Sequence, residues 1–296
     1  MSSLLCLTNS YPIHPRLRKL ARQKCYEAMD VTFVAWNRGK KSVDDDTVTI
    51  NSSAGYNKKT RKIFSGFFLI LKLAIIFFRC RPKVVLARYW DMMFVCAFLK
   101  LFFRFELHYD VCDMPSRNLL WLERLFRRYV DRTYLASRFY NDWYSDCNNK
   151  LVFENKVDSS MFLNEPPGFY SEVLESSSDK LRLAFVGGVR YFSIFRNLLL
   201  AISQAKLTES MEFHIFGDGI DLNKVKTLSK ELNLKNVYFH GRYKYQSIKF
   251  IYELSDFVWA VYDSQSFNVK YAISNKYFEC LHFSVPAIYS KNTCLG

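Results

Sequence analysis

The sequence predicts two α/β domains, each a doubly wound parallel sheet with helices on both faces. Short β-branched or apolar runs alternate with longer segments of helical periodicity. The strand-like runs are apolar almost throughout, which is typical of parallel sheets that are buried on both sides. Residues 164–180, with two prolines, a glycine and a serine cluster, separate two such patterns. We therefore predict a first domain over 1–163, a linker over 164–180 and a second domain over 181–296.

The elements of the first domain follow from this alternation. Strands are expected at 3–8, 31–36, 83–88, 104–109, 133–136 and 151–153. Helices are expected at 15–29, 61–80, 91–102, 118–131 and 138–147. Residues 38–60 are polar and irregular, so we predict a loop there.

The second domain repeats the pattern. Strands are expected at 181–187, 212–217, 236–240, 256–262 and 286–289, and helices at 195–205, 221–233, 245–254 and 275–283. Ligands of open α/β sheets bind beyond the carboxyl ends of the strands, so two such domains predict a site in the cleft between them. The chain stops soon after a predicted strand. We would expect at least one more strand and helix, and therefore predict a truncated second domain.

Positive charge is concentrated in the first half of the chain. The net charge is +14, and residues 1–150 carry 26 Lys and Arg against 13 Asp and Glu. Such a one-sided field attracts an anionic partner: nucleic acid, an acidic membrane surface or a phosphorylated substrate. No nucleic-acid-binding module is recognisable in the sequence, so we predict that nucleic acid is not a partner.

The cysteines and one apolar segment bear on where the protein acts. The eight cysteines form no C-x-x-C pair, and the N-terminus does not have the pattern of a signal peptide, so we predict a cytoplasmic protein. The apolar run 64–80 is broken by Lys72 and ends among Arg79, Arg81 and Lys83. It predicts a buried or interfacial helix rather than a spanning one, and its basic neighbours suit a peripheral membrane contact.

The second domain contains two glycine-containing strand ends that suit a phosphate. Gly187 and Gly188 end a predicted strand, and Arg190 and Arg196 follow at the start of a helix. Glycines let a phosphate approach the backbone, and guanidiniums clamp a diphosphate. The segment 213–219, FHIFGDG, ends another predicted strand in the same way. The alternatives are a strand-end turn with two solvated arginines and an ordinary tight turn.

A third pattern, SNKYFECLHFSVP at 274–286, begins a predicted helix with Asn275 and Lys276. Lys276 and Glu279 are three residues apart and share a helix face. A cation beside a carboxylate at a helix start can hold a phosphate and a sugar hydroxyl together. The alternative is a surface ion pair, which contributes about 0–1 kcal/mol.

Two acidic segments are candidates for a chemical role. Asp110 and Asp113, in YDVCD, stand at the end of an apolar strand, where α/β folds place reactive groups; the alternative is an acidic loop. Asp44, Asp45 and Asp46 form a candidate D-x-D metal motif. They lie in a polar loop with no strand before it, whereas a metal site needs several convergent oxygens on a rigid frame. We predict a solvated loop and no metal.

Together these motifs resemble the glycosyltransferases of family 4, the group 1 type of bacterial capsule, O-antigen and exopolysaccharide assembly. The resemblance covers the whole chain, through LTNSYPIHPRLRKLARQ, YDVCDMP, LERLFRRYVDRTYLASRF, FVGGVRYFSIFRN, FHIFGDG and VYFHGRY. It is most specific at SNKYFECLHFSVPAI. It implies the GT-B fold, two Rossmann-like domains with a central cleft. It also implies a retaining enzyme that transfers a sugar from a nucleoside diphosphate sugar, with a UDP-sugar expected.

The resemblance implies a role for each candidate residue. Arg190 and Lys276 would hold the donor diphosphate, with Arg196 as a third cation, and Asp113 would lie near the transferred sugar. The other substrate-binding residues would be Glu279 at the ribose, Gly187 and Gly188 beside the phosphates, Asn275 at the same helix start, and Arg16 facing the cleft. With cations at the diphosphate, we expect no cofactor and no metal.

The resemblance and the charge together predict the partners. The donor would bind the second domain and the acceptor the first. The acceptor would be a glycan or a polyprenyl-diphosphate-linked sugar at the inner face of an anionic cell membrane. The basic segments 15–24, 61–83 and 117–132 would contact that membrane.

Departures from the family pattern leave a second function open. Of the family's E-x(7)-E carboxylates only Glu279 is present, because Tyr271 stands at the earlier position. Cys112 stands where the pattern has a histidine. The missing carboxylate and the short C-terminus favour the alternative, a non-catalytic sugar-nucleotide-binding or scaffold protein with the same fold.

Overall fold

The computed structural model describes residues 3–37, 47–51, 59–164 and 179–296. The chain divides into two compact units, Met1–Glu154 and Asn155–Gly296. Most of the predicted linker and the Asp44–Asp46 motif lie outside the described residues. The domain bounds proposed from the sequence therefore stay a prediction.

The first unit contains a seven-stranded sheet in which every paired strand is parallel. In chain order its strands are β1 (Ser3–Thr8), β2 (Asp30–Asn37), β3 (Val48–Asn51), β4 (Val84–Arg88), β5 (Glu106–Val111), β6 (Arg132–Leu135) and β7 (Lys150–Val152). Their order across the sheet is β3-β2-β1-β4-β5-β6-β7. The strand order reverses between β1 and β4, and doubly wound sheets bind ligands beyond the carboxyl ends of the strands at such a point.

Four α-helices connect the described strands of this unit: α1 (Pro15–Ala21), α2 (Lys59–Cys80), α3 (Trp90–Leu99) and α4 (Leu120–Arg127). Helix α1 begins with a proline, whose fixed φ suits a first turn, and His14 Nδ1 accepts a hydrogen bond from the Arg16 N–H at 3.2 Å. Helix α2 buries Leu69, Leu73 and Phe77, spaced four residues apart. Among the described helices, none combines the length and apolarity that crossing a membrane requires.

The second unit contains a five-stranded parallel sheet with the order β10-β9-β8-β11-β12. The strands are β8 (Leu181–Val186), β9 (Met211–Phe216), β10 (Val237–Gly241), β11 (Phe257–Ala260) and β12 (Ala287–Tyr289). The helices are α5 (Phe192–Gln204), α6 (Leu222–Glu231), α7 (Ile248–Glu253), α8 (Phe267–Tyr271) and α9 (Asn275–Phe283).

Successive residues of β8 pack into cores on opposite faces of this sheet. Leu183 and Phe185 join a cluster with residues of α5 and α6, whereas Ala184 and Val186 join a second cluster with residues of α7 and α9. A central strand is apolar where both of its faces are buried, as β8 is over 183–186. This confirms the prediction of a parallel sheet with helices on both sides.

The structure corrects three local predictions. Part of the predicted loop 38–60 is strand β3, whose four residues pair with β2; two of its side chains are polar, so its apolar pattern is too short to recognise. The helix predicted at 15–29 ends at Ala21 and is followed by a short 3-10 turn. The segment predicted as a helix at 138–147 is a 3-10 helix, Arg138–Tyr144.

Candidate functional site

Two glycine-containing loops meet at the carboxyl ends of β8 and β9. The Gly187 N–H donates to the Phe216 carbonyl at 2.9 Å, and the Gly217 N–H donates to the Gly241 carbonyl at 2.6 Å. Gly217 has a φ of +145°, and a Cβ there would lie 1.8 Å from the Gly187 carbonyl oxygen. Only glycine fits such a position. The two loops therefore pack backbone against backbone.

Beside these loops is a pocket of about 270 Å³ that both Arg190 and Lys276 line. Arg190 follows β8 and is exposed, whereas Lys276 is the second residue of α9 and is only 6% exposed. The structure thus brings together the two cations that the sequence analysis placed at a diphosphate. The other lining residues are Phe185, Gly188, Tyr191, Ile194, Phe195, Val261 and Tyr262.

The ammonium group of Lys276 is held by aromatic side chains rather than by a carboxylate. Its Nζ donates to the Tyr262 hydroxyl at 2.6 Å and lies 4.7 Å from the ring centre of Phe185. A Cβ at Gly187 would come within 3.3 Å of this Nζ. Within the described part of the chain, no carboxylate forms an ion pair with Lys276. A buried ammonium without a carboxylate is costly unless an anion approaches it, so the pocket favours an anionic ligand.

A neighbouring pocket of about 360 Å³ is lined by Gly187, Gly188, Gly217, Asp218, Gly219, Arg242 and Tyr243. Gly188 borders both pockets. The Arg242 Nε donates to Asp218 at 2.8 Å, and this hydrogen bond lowers the pKa of Asp218 below its ordinary value. Sequence reasoning missed Arg242, Tyr243 and Tyr262. Arg242 and Tyr243 could have been found, because they follow the carboxyl end of the predicted strand 236–240, whereas Tyr262 is the last residue of the predicted strand 256–262 and carries no such signal.

Glu279 is 5% exposed and lines neither pocket. It accepts a hydrogen bond from the Tyr252 hydroxyl at 2.7 Å. Burial raises the pKa of Glu279, opposed by that hydrogen bond and by the charge of Lys276. Both Lys276 and Glu279 are therefore buried. The alternative that they form a solvated surface ion pair is wrong.

The remaining candidates lie elsewhere. Arg196 is exposed on α5, and Asn275 is exposed at the start of α9, where its Oδ1 accepts from Asn155 at 2.7 Å. Arg16 belongs to the first unit, is 2% exposed and is paired with Asp110 at 2.8 Å. Asp113 is exposed after β5 of the same unit. Their roles in binding or catalysis stay predictions.

Known proteins resemble this chain in structure and not in sequence. No protein-family model and no curated protein matches the sequence. Sucrose-phosphate synthase from Thermosynechococcus elongatus matches with a TM-score of 0.77 at 13% identity, over 100% of this chain and 82% of that one. Anabaena HepE, solved with UDP and glucose, matches with a TM-score of 0.69 at 12% identity, over 99% and 82%.

These matches extend over both units. The chain has the GT-B fold. A putative UDP-N-acetylglucosamine 2-epimerase from Listeria monocytogenes also matches, with a TM-score of 0.66 at 11% identity, over 99% of this chain and 80% of that one. Because a synthase and an epimerase both match, the GT-B fold does not decide the activity of this chain. The activity has to be argued from the site.

The raised pKa of Glu279 predicts how the stability of the folded protein depends on pH. The unfolded carboxyl loses its proton near pH 4.3, but the folded one holds its proton to a higher pH, so this residue costs stability as the pH rises through that interval. Glu279→Gln keeps an acceptor for Tyr252 and removes the charge. We expect Glu279→Gln to have a higher Tm than wild type at neutral pH and a smaller difference at about pH 4. A lower Tm at neutral pH would contradict this.

Proposed function

We propose that this protein is a glycosyltransferase that takes its sugar from a nucleoside diphosphate sugar, with UDP-sugar as the donor. The convergence of Arg190 and Lys276 on one pocket beside the glycine loops carries the proposal. Among the described residues that line this pocket there is no carboxylate, so its field suits an anionic group. Anabaena HepE, which has the same fold, has been solved with UDP and glucose and with UDP-glucose, which supports this donor.

The role of the two cations follows from where negative charge develops during sugar transfer. As the bond between the anomeric carbon and the diphosphate oxygen breaks, that oxygen gains negative charge. Cations fixed in advance near this oxygen stabilise the transition state more than the ground state. Arg190 and Lys276 would supply this stabilisation without a divalent metal. We further propose a retaining reaction of the family 4, group 1 type, with Asp113 near the transferred sugar.

We also propose that the acceptor is lipid-linked or a glycan in bacterial surface polysaccharide synthesis, at the cytoplasmic face of a membrane. The support is an exposed apolar face on the first unit, formed by one side of α2 and the turn that follows α3. Its exposed members are Phe67, Phe68, Leu71, Ile75, Phe78, Leu101 and Phe102.

This apolar face lies against basic residues. A groove of about 260 Å³ at its edge is lined by Phe77, Phe78, Phe102 and other apolar residues together with Arg81 and Arg104. Apolar side chains that can enter the acyl boundary, next to cations that attract anionic lipids, suit a peripheral membrane contact.

Phe78→Ser tests the membrane contact. Because burying one Phe side chain stabilises by about 1.5–3 kcal/mol, we expect partitioning onto anionic vesicles to fall by about tenfold or more. Ile220→Ser is the matched control, since Ile220 is also exposed but lies in the second unit. Vesicle sedimentation measures both variants, with binding expected to weaken as salt is added. Equal binding to neutral and anionic vesicles would contradict the electrostatic part.

The function itself is tested by donor binding and turnover. Calorimetry with UDP, GDP and NAD is expected to show UDP binding and no NAD binding. Hydrolysis or transfer from a UDP-sugar is expected to be unchanged in EDTA. Tight NAD binding without nucleoside diphosphate binding would overturn the proposal. Activity lost in EDTA and restored by manganese would overturn the metal-free chemistry.

One observation favours the alternative function, a non-catalytic protein that binds a sugar nucleotide. Tyr271, at the end of α8, stacks edge-on against Phe267 at 5.4 Å between ring centres, where the family pattern has a carboxylate. A protein that binds UDP-sugars but shows no hydrolysis or transfer would be such a binding or scaffold protein.

A further inference from the structure

A buried guanidinium that forms no ion pair with any described residue lies at the carboxyl edge of the first unit's sheet. Arg88 is the last residue of β4 and is 3% exposed. Its Nη2 donates to the Tyr89 hydroxyl at 3.2 Å, and the guanidinium lies 4.8 Å from the centre of that ring. Its Nε and Nη1 are buried and have no hydrogen-bond partner among the described residues. Buried polar groups are normally satisfied, so these two donors need an explanation.

Two other buried arginines of this unit differ from Arg88 because each forms an ion pair with a carboxylate. Arg127 is paired with Glu123 and Asp146, and Arg16 is paired with Asp110. Asp110 is the register partner of Arg88 across β4 and β5, but its carboxylate accepts hydrogen bonds from Arg16 Nε and Nη2 and from Cys112 Sγ. The buried carboxylate of Asp110 is therefore engaged by Arg16.

The surroundings of Arg88 also suit a ligand. The pairing of β1 with β4 places Thr8 and Arg88 at neighbouring positions, and the buried Thr8 hydroxyl also lacks a partner in the described part. Burial, with Arg88 and Arg16 nearby, lowers the pKa of His14 to about 4, so its imidazole is neutral in a positive field. Tyr89 has φ +71° and ψ 154°, a strained backbone conformation, and residues in such conformations cluster at active sites and ligand-binding sites.

We propose that Arg88 binds a phosphate group, and that this phosphate belongs to the acceptor. A guanidinium matches phosphate oxygens in geometry and charge, and a phosphate here would satisfy donors that the protein leaves unused. The phosphate can come from a lipid headgroup or from a soluble sugar phosphate, since the recognising chemistry is the same. Assignment to the acceptor rests on the proposed function, whereas phosphate binding by this unit does not.

Calorimetry with inorganic phosphate, with UDP present at saturation to fill the donor site, tests the binding. Arg88→Gln is compared with Arg138→Gln, which removes the same charge from an exposed position of the same unit, outside the basic segments predicted to contact a membrane. Wild type and Arg138→Gln are expected to bind phosphate alike, and Arg88→Gln about tenfold or more weakly. Equal affinity in Arg88→Gln, or no phosphate binding by wild type, would overturn the proposal.

Thermal unfolding separates this role from a structural one. A ligand that binds only the folded protein raises its Tm, so phosphate is expected to raise the Tm of wild type, and Arg88→Gln is expected to abolish that rise. A lower Tm with an unchanged response to phosphate would mean that Arg88 is structural.

Two further ligands identify the source of the phosphate. Glucose 6-phosphate and phosphatidylcholine vesicles containing phosphatidic acid are each tested against both variants. Loss of only vesicle binding in Arg88→Gln assigns a lipid, and loss of only glucose 6-phosphate binding assigns a soluble acceptor; no loss in either overturns the proposal. UDP affinity measured alone is an independent check, because failure of UDP to bind contradicts the proposed function and not the phosphate site.

Discussion

Replacing Lys276 by methionine is expected to lower kcat by about 10²–10³-fold, the usual effect of removing one preorganised group that stabilises developing charge. Its Nζ is fixed by the Tyr262 hydroxyl and by the rings of Phe185 and Tyr262, so it does not have to reorganise during the reaction. The effect on KM should be smaller, because several groups share ground-state binding. Steady-state kinetics with a UDP-sugar measures both constants. Arg190→Ala is expected to act in the same direction.

The matched control for this prediction is Lys270→Ala, which removes an exposed lysine of α8 in the same unit. Lys270→Ala should keep wild-type kcat. Methionine is chosen at position 276 because it fills the apolar surroundings of the lysine stem, so the variant should stay folded. Wild-type kcat in both Lys276→Met and Arg190→Ala would end the assignment of a cationic diphosphate site.

The fold was predictable to the extent that burial leaves a pattern in the sequence. Strands β1 and β8 contain unbroken apolar runs, 4–7 and 183–186, because both faces of the sheet are covered there, so composition locates these strands. β3 shows the limit. Two of its four residues are polar, so its own sequence does not mark it as a strand. It is a strand because it pairs with β2, and that pairing leaves no signal in the local sequence.

The candidate site shows a similar division. The placement of Arg190 and Lys276 at one pocket was predictable because each residue lies at a sequence signal of its own. Arg190 follows a strand that ends in glycines, and Lys276 stands at the start of a helix. Tyr262 was not predictable, because its role depends on the distance from its hydroxyl to an ammonium group on another element. Arg88 was not either. An arginine at a strand end is ordinary in a sequence, and only its burial without a carboxylate makes it a candidate.

Removing the Asp110 carboxylate is expected to have the largest effect on stability. Asp110 is fully buried and accepts hydrogen bonds from Arg16 Nε at 2.9 Å and Nη2 at 2.8 Å. Asp110→Ala leaves Arg16 buried and unpaired beside the unpaired Arg88. Breaking a buried pair from one side costs about 3–5 kcal/mol, because it leaves an uncompensated charge. Tryptophan fluorescence during urea unfolding suits the measurement, since four of the five tryptophans lie in the first unit.

The double variant Arg16→Met/Asp110→Leu distinguishes two contributions to the free energy of unfolding: the cost of leaving one buried charge unpaired and the stability that the ion pair itself provides. Replacing a buried ion pair by apolar side chains of similar volume is often neutral or stabilising, so the double variant should recover most of the stability lost in Asp110→Ala. UDP affinity should be unchanged in both, because the residues that line the donor pocket lie in the second unit. A double variant as unstable as Asp110→Ala would mean that Asp110 acts through contacts other than its charge. Weakened UDP binding in the folded double variant would show that Arg16 and Asp110 act on the donor site.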